Sequence, residues 1–164
     1  MKDRETIFRE VANLMSQQGF RIINEDLNRP WGGFYVIDEE QALQFSNHYF
    51  PGQIVEATPK KVRMSPKILM VAPKARLSWQ YHDRRSELWK CIGGPAAIVT
   101  SDNNEEKDQQ TIEINEILIL PQGGRHRLVG LENWGIIAEI WQHTDPENPS
   151  DENDIVRVQD DYGR

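Results

Sequence analysis

The sequence predicts an all-β protein, an antiparallel sandwich or barrel, with one helix at its N-terminus. From Lys67 onwards the chain consists of short apolar segments, and Pro- and Gly-containing turns separate them. Short strands at such regular spacing are typical of sandwiches and barrels. Strands do not alternate with helical segments, and no glycine-rich phosphate loop is present, which argues against a parallel α/β fold.

Composition limits the class of protein. A chain of 164 residues with 38% hydrophobic content can form one domain with a buried core. No apolar segment approaches the roughly 20 residues that span a bilayer, so we expect no membrane partner. The start, MKDRETIFRE, lacks the apolar core of a signal peptide, and a single cysteine, Cys91, fits a cytoplasmic location. The formal net charge of −7 disfavours a nucleic-acid partner.

The first element is a helix over residues 3–18. Its apolar residues form one stripe, Asp3 can cap its start, and Gly19 can close its end. We predict residues 1–28 as an N-terminal helical extension and residues 29–164 as the β-barrel domain.

The remaining elements follow from turns and apolar segments. We predict a strand at 34–37, a short helix at 39–45, and a strand inside the connection 53–66. Eight further strands are predicted at 68–72, 77–81, 87–92, 96–100, 111–114, 117–120, 126–129 and 136–141. Residues 144–153 form an acidic link, and the final eleven residues taken alone are typical of a frayed terminus.

Three residues form a candidate metal site. His82 and Glu87 flank the end of one predicted strand, and His126 follows a Pro/Gly turn. Imidazole nitrogen and carboxylate oxygen are ligands for Zn and other transition metals. The alternative is that each histidine is a surface or hydrogen-bonded residue.

Basic residues cluster although the chain is acidic, which suggests an anionic small ligand. A solvated basic face is the alternative. The clusters are Lys60-Lys61, Arg63, Lys67, Arg84-Arg85, and Arg125 with Arg127.

Five further motifs are RPWG at 29–32, LSWQYH at 77–82, RSELW at 85–89, PQGGRHRL at 121–128, and DIVRVQDDYGR at 154–164. They resemble motifs of the cupin superfamily, and within it the cupin domain of type II mannose-6-phosphate isomerases, which also occurs fused to mannose-1-phosphate guanylyltransferases. The resemblance implies a double-stranded β-helix, the cupin jelly-roll barrel, forming a homodimer. It also implies conversion of mannose 6-phosphate to fructose 6-phosphate.

The resemblance also assigns roles. It implicates Arg85 and Arg157 in activity, with Glu87 as metal ligand and proton shuttle. Lys67, Arg84 and Arg164 are expected to contact the sugar phosphate. Gln80 shares a strand face with His82, so we predict that it faces the barrel interior and contacts a sugar hydroxyl, while Trp79 packs on the other face. An ion-pair network with Asp154, Asp160 and Asp161 is the alternative for the tail arginines.

Two positions depart from the family pattern. Arg84 and Leu88 stand where the family has histidines, which leaves His82, Glu87 and His126 as ligands. The site is therefore expected either to bind a divalent metal, Zn or another transition metal, or to have lost it. Arg84 would then oppose the cation or pair with Glu87 in its place. The alternative function is a non-catalytic or divergent cupin that binds a sugar or sugar phosphate.

Overall fold

The computed structural model describes residues 1–53 and 63–163. Two helices belong to the first third of the chain: α1 (Arg4–Gln17) and α2 (Ala42–Tyr49), the latter preceded by a short 3-10 turn at Glu39–Gln41. The Asp3 carboxylate accepts a hydrogen bond from the backbone N–H of Thr6, which caps α1. The predicted first helix is thus confirmed, and the predicted second helix extends a turn further.

The strands form two antiparallel sheets. The larger has six strands in the order β1-β2-β3-β10-β5-β8, and the smaller has five in the order β11-β4-β9-β6-β7. The larger sheet comprises β1 (Ile22–Arg29), β2 (Gly32–Ile37), β3 (Met64–Val71), β5 (Arg85–Gly93), β8 (Ile117–Leu120) and β10 (Gly135–His143). The smaller comprises β4 (Trp79–Tyr81), β6 (Ala96–Ser101), β7 (Gln110–Ile112), β9 (Arg125–Gly130) and β11 (Val156–Gln159).

The central strands of the larger sheet, β3, β5 and β10, are buried on both faces. Its outer face carries Met70, Leu88 and Ala138, which pack with Phe8 of α1 and Phe45 of α2 in one core. Its inner face packs against the smaller sheet in a second core. That core includes Leu69, Trp89 and Ile137 from the larger sheet and Ile98 and Leu128 from the smaller. Since strand side chains alternate between faces, residues of β3, β5 and β10 are divided strictly between a helix-facing and a barrel-facing set.

Two strands were not predicted, and both lie at sheet edges. β1 falls inside the segment predicted as a helical extension, and its sequence IINEDLNR has no clear alternation. β11 falls in the tail that taken alone is typical of a frayed end; it pairs with β4, and all four of its residues are exposed. Both β1 and β11 are stabilised by pairing with a neighbouring strand, and neither has a continuous buried face of its own. The boundary at residue 28 stays a prediction.

Other local predictions have a mixed outcome. The eight strands predicted after Lys67 are all present, with ends that differ by a few residues. Most of the strand predicted within 53–66 lies outside the described residues, and β3 begins at its end. Cys91 is buried. Within the described ranges, no helix has the length and apolar character needed to cross a membrane.

The double burial of β10 gives a prediction about stability. Ile137 is 0% exposed at the centre of the barrel core, whereas Ile119, on edge strand β8, is 66% exposed. We expect Ile137→Ala to lower the free energy of unfolding by about 2–5 kcal/mol, since it leaves a cavity. The matched change Ile119→Ala should alter it by less than about 0.5 kcal/mol. Urea denaturation measures both, and equal effects would contradict the assignment of the core.

Candidate functional site

A cavity of about 420 Å³ opens between the two sheets, at the end closed by the chain segment 144–155, here called the strap. The barrel-facing residues of β3, β5 and β10 form its floor. Predicted site residues that line it are Lys67, Gln80, Arg85, Glu87 and Arg157. Trp31, Phe34, Trp89, Glu139 and Trp141 complete its walls, and Glu152 and Asn153 of the strap border it.

His82 and His126 both present Nε2 to Glu87. The His82 Nδ1 lies 2.7 Å from the carbonyl oxygen of Asp154, and the His126 Nδ1 lies 3.3 Å from that of Gly124. Because a carbonyl oxygen only accepts, each Nδ1 donates to its carbonyl, and each Nε2 is directed at Glu87. The two Nε2 atoms lie 3.4 Å and 3.1 Å from Glu87 Oε1.

This arrangement fits a metal ion. The three ligand atoms lie within 4.8 Å of one another, and all three residues are buried. Glu87 Oε1 and His126 Nε2 have no hydrogen-bond partner among the described residues, although they lie 3.1 Å apart. A cation would satisfy both atoms. Two imidazoles and a carboxylate suit Zn or another transition metal, so His82, Glu87 and His126 are the residues that would hold it.

Arg85 contacts two of these three residues. Its Nη2 lies 3.2 Å from His82 Nε2, and its Nε lies 3.6 Å from Glu87 Oε2. The guanidinium also lies 3.5 Å from the centroid of the Trp141 ring and donates to Ser150 Oγ at 3.0 Å. Arg85 therefore already neutralises Glu87, and its charge would oppose a divalent ion bound beside it.

A second carboxyl group, Glu139, lies next to Glu87 in the opposite protonation state. Its oxygens accept hydrogen bonds from the indole N–H groups of Trp89 and Trp141, both at 2.7 Å. Burial, and then the charge of Glu87, raise the pKa of Glu139 to about 8 against the opposing charge of Lys67. Burial also acts to raise the pKa of Glu87, but Arg85 and the two histidines outweigh it and hold that pKa well below its usual range. At neutral pH Glu87 is ionised and Glu139 is protonated.

The alternation of side chains along each strand explains which of these cavity residues could be predicted from the sequence. Glu139 and Gln142 lie on opposite faces of β10, so the alternation of side chains allows at most one of them to line the pocket. Glu139 lies on the same face of β10 as Ile137 and Trp141, which places it inside. Gln80 lines the pocket as predicted. Trp79 is buried away from the cavity, and its indole donates to the Asn104 carbonyl at 3.0 Å.

The predictions for Arg84 and Leu88 need correction. Arg84 does not line the pocket or pair with Glu87; its guanidinium contacts Asn148 and the Pro149 carbonyl of the strap. Arg85 takes the place beside Glu87 instead, because position 85 begins β5 on the barrel-facing side. Leu88 faces the helices, so a histidine there would lie outside this cavity.

Other basic residues have partners of their own. Arg63 pairs with Glu39 at 3.1 Å, and Arg127 pairs with Glu106 at 2.8 Å. Asp161 of the tail binds Arg76 at 2.6 Å, and the Asp154 carboxylate accepts from the backbone N–H of Arg84. Lys60, Lys61 and Arg164 lie outside the described residues.

Sequence comparisons show which known proteins this chain is similar to. The family described as mannose-6-phosphate isomerase C-terminal matches residues 45–160. The xanthan biosynthesis protein XanB of Xanthomonas campestris pv. campestris is 29% identical over 136 residues, which cover 83% of this chain and 23% of that protein. The mannose-1-phosphate guanylyltransferase ManC of Salmonella typhimurium is 28% identical over 142 residues, covering 87% and 24%. The chain spans about a quarter of the length of these curated relatives.

Solved structures identify the fold. Oxalate decarboxylase OxdC of Bacillus subtilis superposes with a TM-score of 0.58 at 13% identity, covering 82% of this chain and 30% of that one. A recombinant oxalate oxidase in complex with glycolate gives 0.53 at 16% identity, covering 81% and 58%. At these identities the likeness concerns the fold alone. It confirms the predicted cupin jelly roll with an N-terminal helix.

His143 anchors the strap and gives a prediction about pH. Its Nδ1 accepts the backbone N–H of Ser150 at 2.9 Å, so the ring is neutral. Burial, and then the charge of Arg63, lower its pKa. Below about pH 6.5, His143 therefore binds a proton in the unfolded chain but not in the folded chain. The free energy of unfolding decreases as the pH falls from there through the pKa of His143 in the folded protein.

We expect the variant His143→Gln to lose less stability than the wild-type protein as the pH falls. Urea denaturation between about pH 7 and pH 5 should show a smaller decrease in the free energy of unfolding for the variant than for the wild-type protein. Identical pH dependence in both proteins would rule out a neutral, buried His143.

Proposed function

Because the chain belongs to the family described as mannose-6-phosphate isomerase C-terminal, we propose that it is a sugar-phosphate aldose–ketose isomerase, which interconverts mannose 6-phosphate and fructose 6-phosphate. The observation that carries the proposal is a pair of buried carboxyl groups in one cavity, Glu87 and Glu139, whose surroundings shift their pKa values in opposite directions. Both lie in a cavity whose walls also carry Lys67, Arg85 and Arg157.

The reaction moves one proton between adjacent carbons through an enediol. Glu87 takes the proton from C2 of the aldose, and Glu139 gives a proton to the carbonyl oxygen on C1. The Glu87 proton then returns to C1 while the C2 hydroxyl proton returns to Glu139, which yields the ketose with both carboxyl groups restored. Two side chains that differ in pKa in one cavity suit these paired transfers.

The remaining residues bind and orient the substrate. Arg85 and Arg157 offer guanidinium donors to phosphate oxygens, and the Gln80 amide can contact a sugar hydroxyl. A divalent ion held by His82, Glu87 and His126 would supply an electrophile for the oxyanion that develops at the carbonyl.

A second candidate function is a cupin that binds a sugar phosphate without turnover. It is favoured by the contacts of Arg85, which already neutralise Glu87 and occupy the lone pair of His82. In that case the protein binds mannose 6-phosphate, holds no metal at its three candidate ligands, and leaves the sugar unchanged.

Turnover tests the isomerase. Glu87→Gln removes the base while it keeps the size of the side chain, and we expect kcat to fall by about a hundredfold or more. The control Glu132→Gln changes a glutamate that is 82% exposed and pairs with Lys74, and should leave kcat unchanged. A coupled assay for fructose 6-phosphate formed from mannose 6-phosphate measures both. An unchanged kcat in Glu87→Gln removes this residue from the chemistry.

Metal titration separates the two candidate functions. After chelation, we expect the wild-type protein to bind one equivalent of Zn²⁺ in calorimetry. The variant His126→Gln should bind at least about tenfold more weakly, because it loses one of three protein ligands. His48→Gln is the matched control, since His48 is an exposed histidine of α2. Failure of the wild-type protein to bind Zn²⁺, together with binding of mannose 6-phosphate without turnover, would favour the binding protein.

A further inference from the structure

Lys67 is a basic group enclosed by aromatic rings. Its side chain is 9% exposed, and its Nζ lies 3.9 Å from the centroid of Phe34 and 4.8 Å from that of Trp141. Ring faces attract an ammonium group but accept no conventional hydrogen bond from it. A buried ammonium in this position therefore needs an anionic acceptor from the open side of the cavity.

The acceptor is Glu152 of the strap. Its Oε1 lies 2.7 Å from Lys67 Nζ, yet its side chain is 58% exposed. The cation is thus fixed in the cavity wall, while the anion approaches it from solvent. An ion pair with one partner so exposed is weak and readily exchanged.

The backbone on either side of Glu152 is held independently of this ion pair. Before it, the Ser150 N–H bonds to His143 at 2.9 Å. After it, the Asp154 carboxylate accepts the backbone N–H groups of Asp83 and Arg84, each at 3.0 Å. The Glu152 side chain can therefore leave Lys67 by rotation about its own bonds, without unfolding of the strap.

We propose that Lys67 is the subsite for the phosphate group of the ligand and that Glu152 is an internal carboxylate that occupies it until phosphate displaces it. The inference rests on the proposed function for the identity of the ligand as a phosphate monoester. A phosphate dianion carries more charge than a carboxylate and has three oxygens to share among donors. Arg85 lies over the same Trp141 ring and supplies a second cation beside the subsite.

The consequence is that Glu152 sets the affinity of the site for anions. Each binding event must first break the contact between Lys67 and Glu152, so removal of the carboxylate should strengthen phosphate binding. This effect depends on Lys67, which distinguishes it from a general change in net charge. Glu147 provides the control, since it is an exposed glutamate on the same strap.

Calorimetric titration with inorganic phosphate tests the inference on four variants of the full chain. Glu152→Gln should bind phosphate roughly two- to fivefold more tightly than wild type, and Glu147→Gln should bind like wild type. Lys67→Met, which keeps the stem between the two rings, should bind at least about tenfold more weakly. In the double variant of Lys67 and Glu152, the gain from Glu152→Gln should vanish.

Three results would overturn the inference: no gain in Glu152→Gln, an equal gain in Glu147→Gln, or a gain that persists without Lys67. Absence of phosphate binding by both wild type and Glu152→Gln would do the same. Phosphate binding needs no turnover, so this outcome is independent of the isomerase assay. Turnover without the gain rejects the role of Glu152 alone, and the gain without turnover rejects the isomerase alone.

Discussion

Side chains along a β-strand alternate between the two faces of its sheet, and the central strands of the larger sheet are covered on both faces. This alternation determines which residues of the protein can reach the functional site. Helices α1 and α2 bury one face of β3, β5 and β10, and the smaller sheet buries the other. Every second residue is therefore committed to the helix core, and its neighbours are committed to the barrel. Glu87, Glu139 and Lys67 reach one cavity because they share the second set.

Burial of several ionisable groups in this cavity makes each group depend on the others. Glu87 remains ionised only because Arg85 and two imidazoles offset its burial. That negative charge in turn helps to keep Glu139 protonated, and the indole N–H groups of Trp89 and Trp141 fix where the Glu139 oxygens lie. The state of the carboxyl pair is thus a property of the whole cluster rather than of either residue.

Most of the strands could be predicted from the sequence, because the eight strands after Lys67 have their own apolar pattern and are separated by turns. The prediction missed β1 and β11, whose mostly exposed residues follow no buried face and whose structure comes from pairing with β2 and β4. In the site, alternation placed Gln80 correctly and limited Glu139 to one of two choices. Alternation fails at the turn before β5, where orientation depends on distant partners. Arg84 is directed towards the strap and Arg85 towards Glu87, whereas the sequence predicted that Arg84 would oppose the cation or pair with Glu87.

The strap determines how the charges of the cavity are balanced. Lys67 forms an ion pair with Glu152, and Arg85 forms one with Glu87, so two cations and two anions are paired. A divalent ion at the histidines would leave this group of residues with excess positive charge in a partly desolvated space. A phosphate dianion in the same cavity would restore the balance. Metal and phosphate are therefore easier to accommodate together than the metal alone, since each offsets the charge that the other introduces.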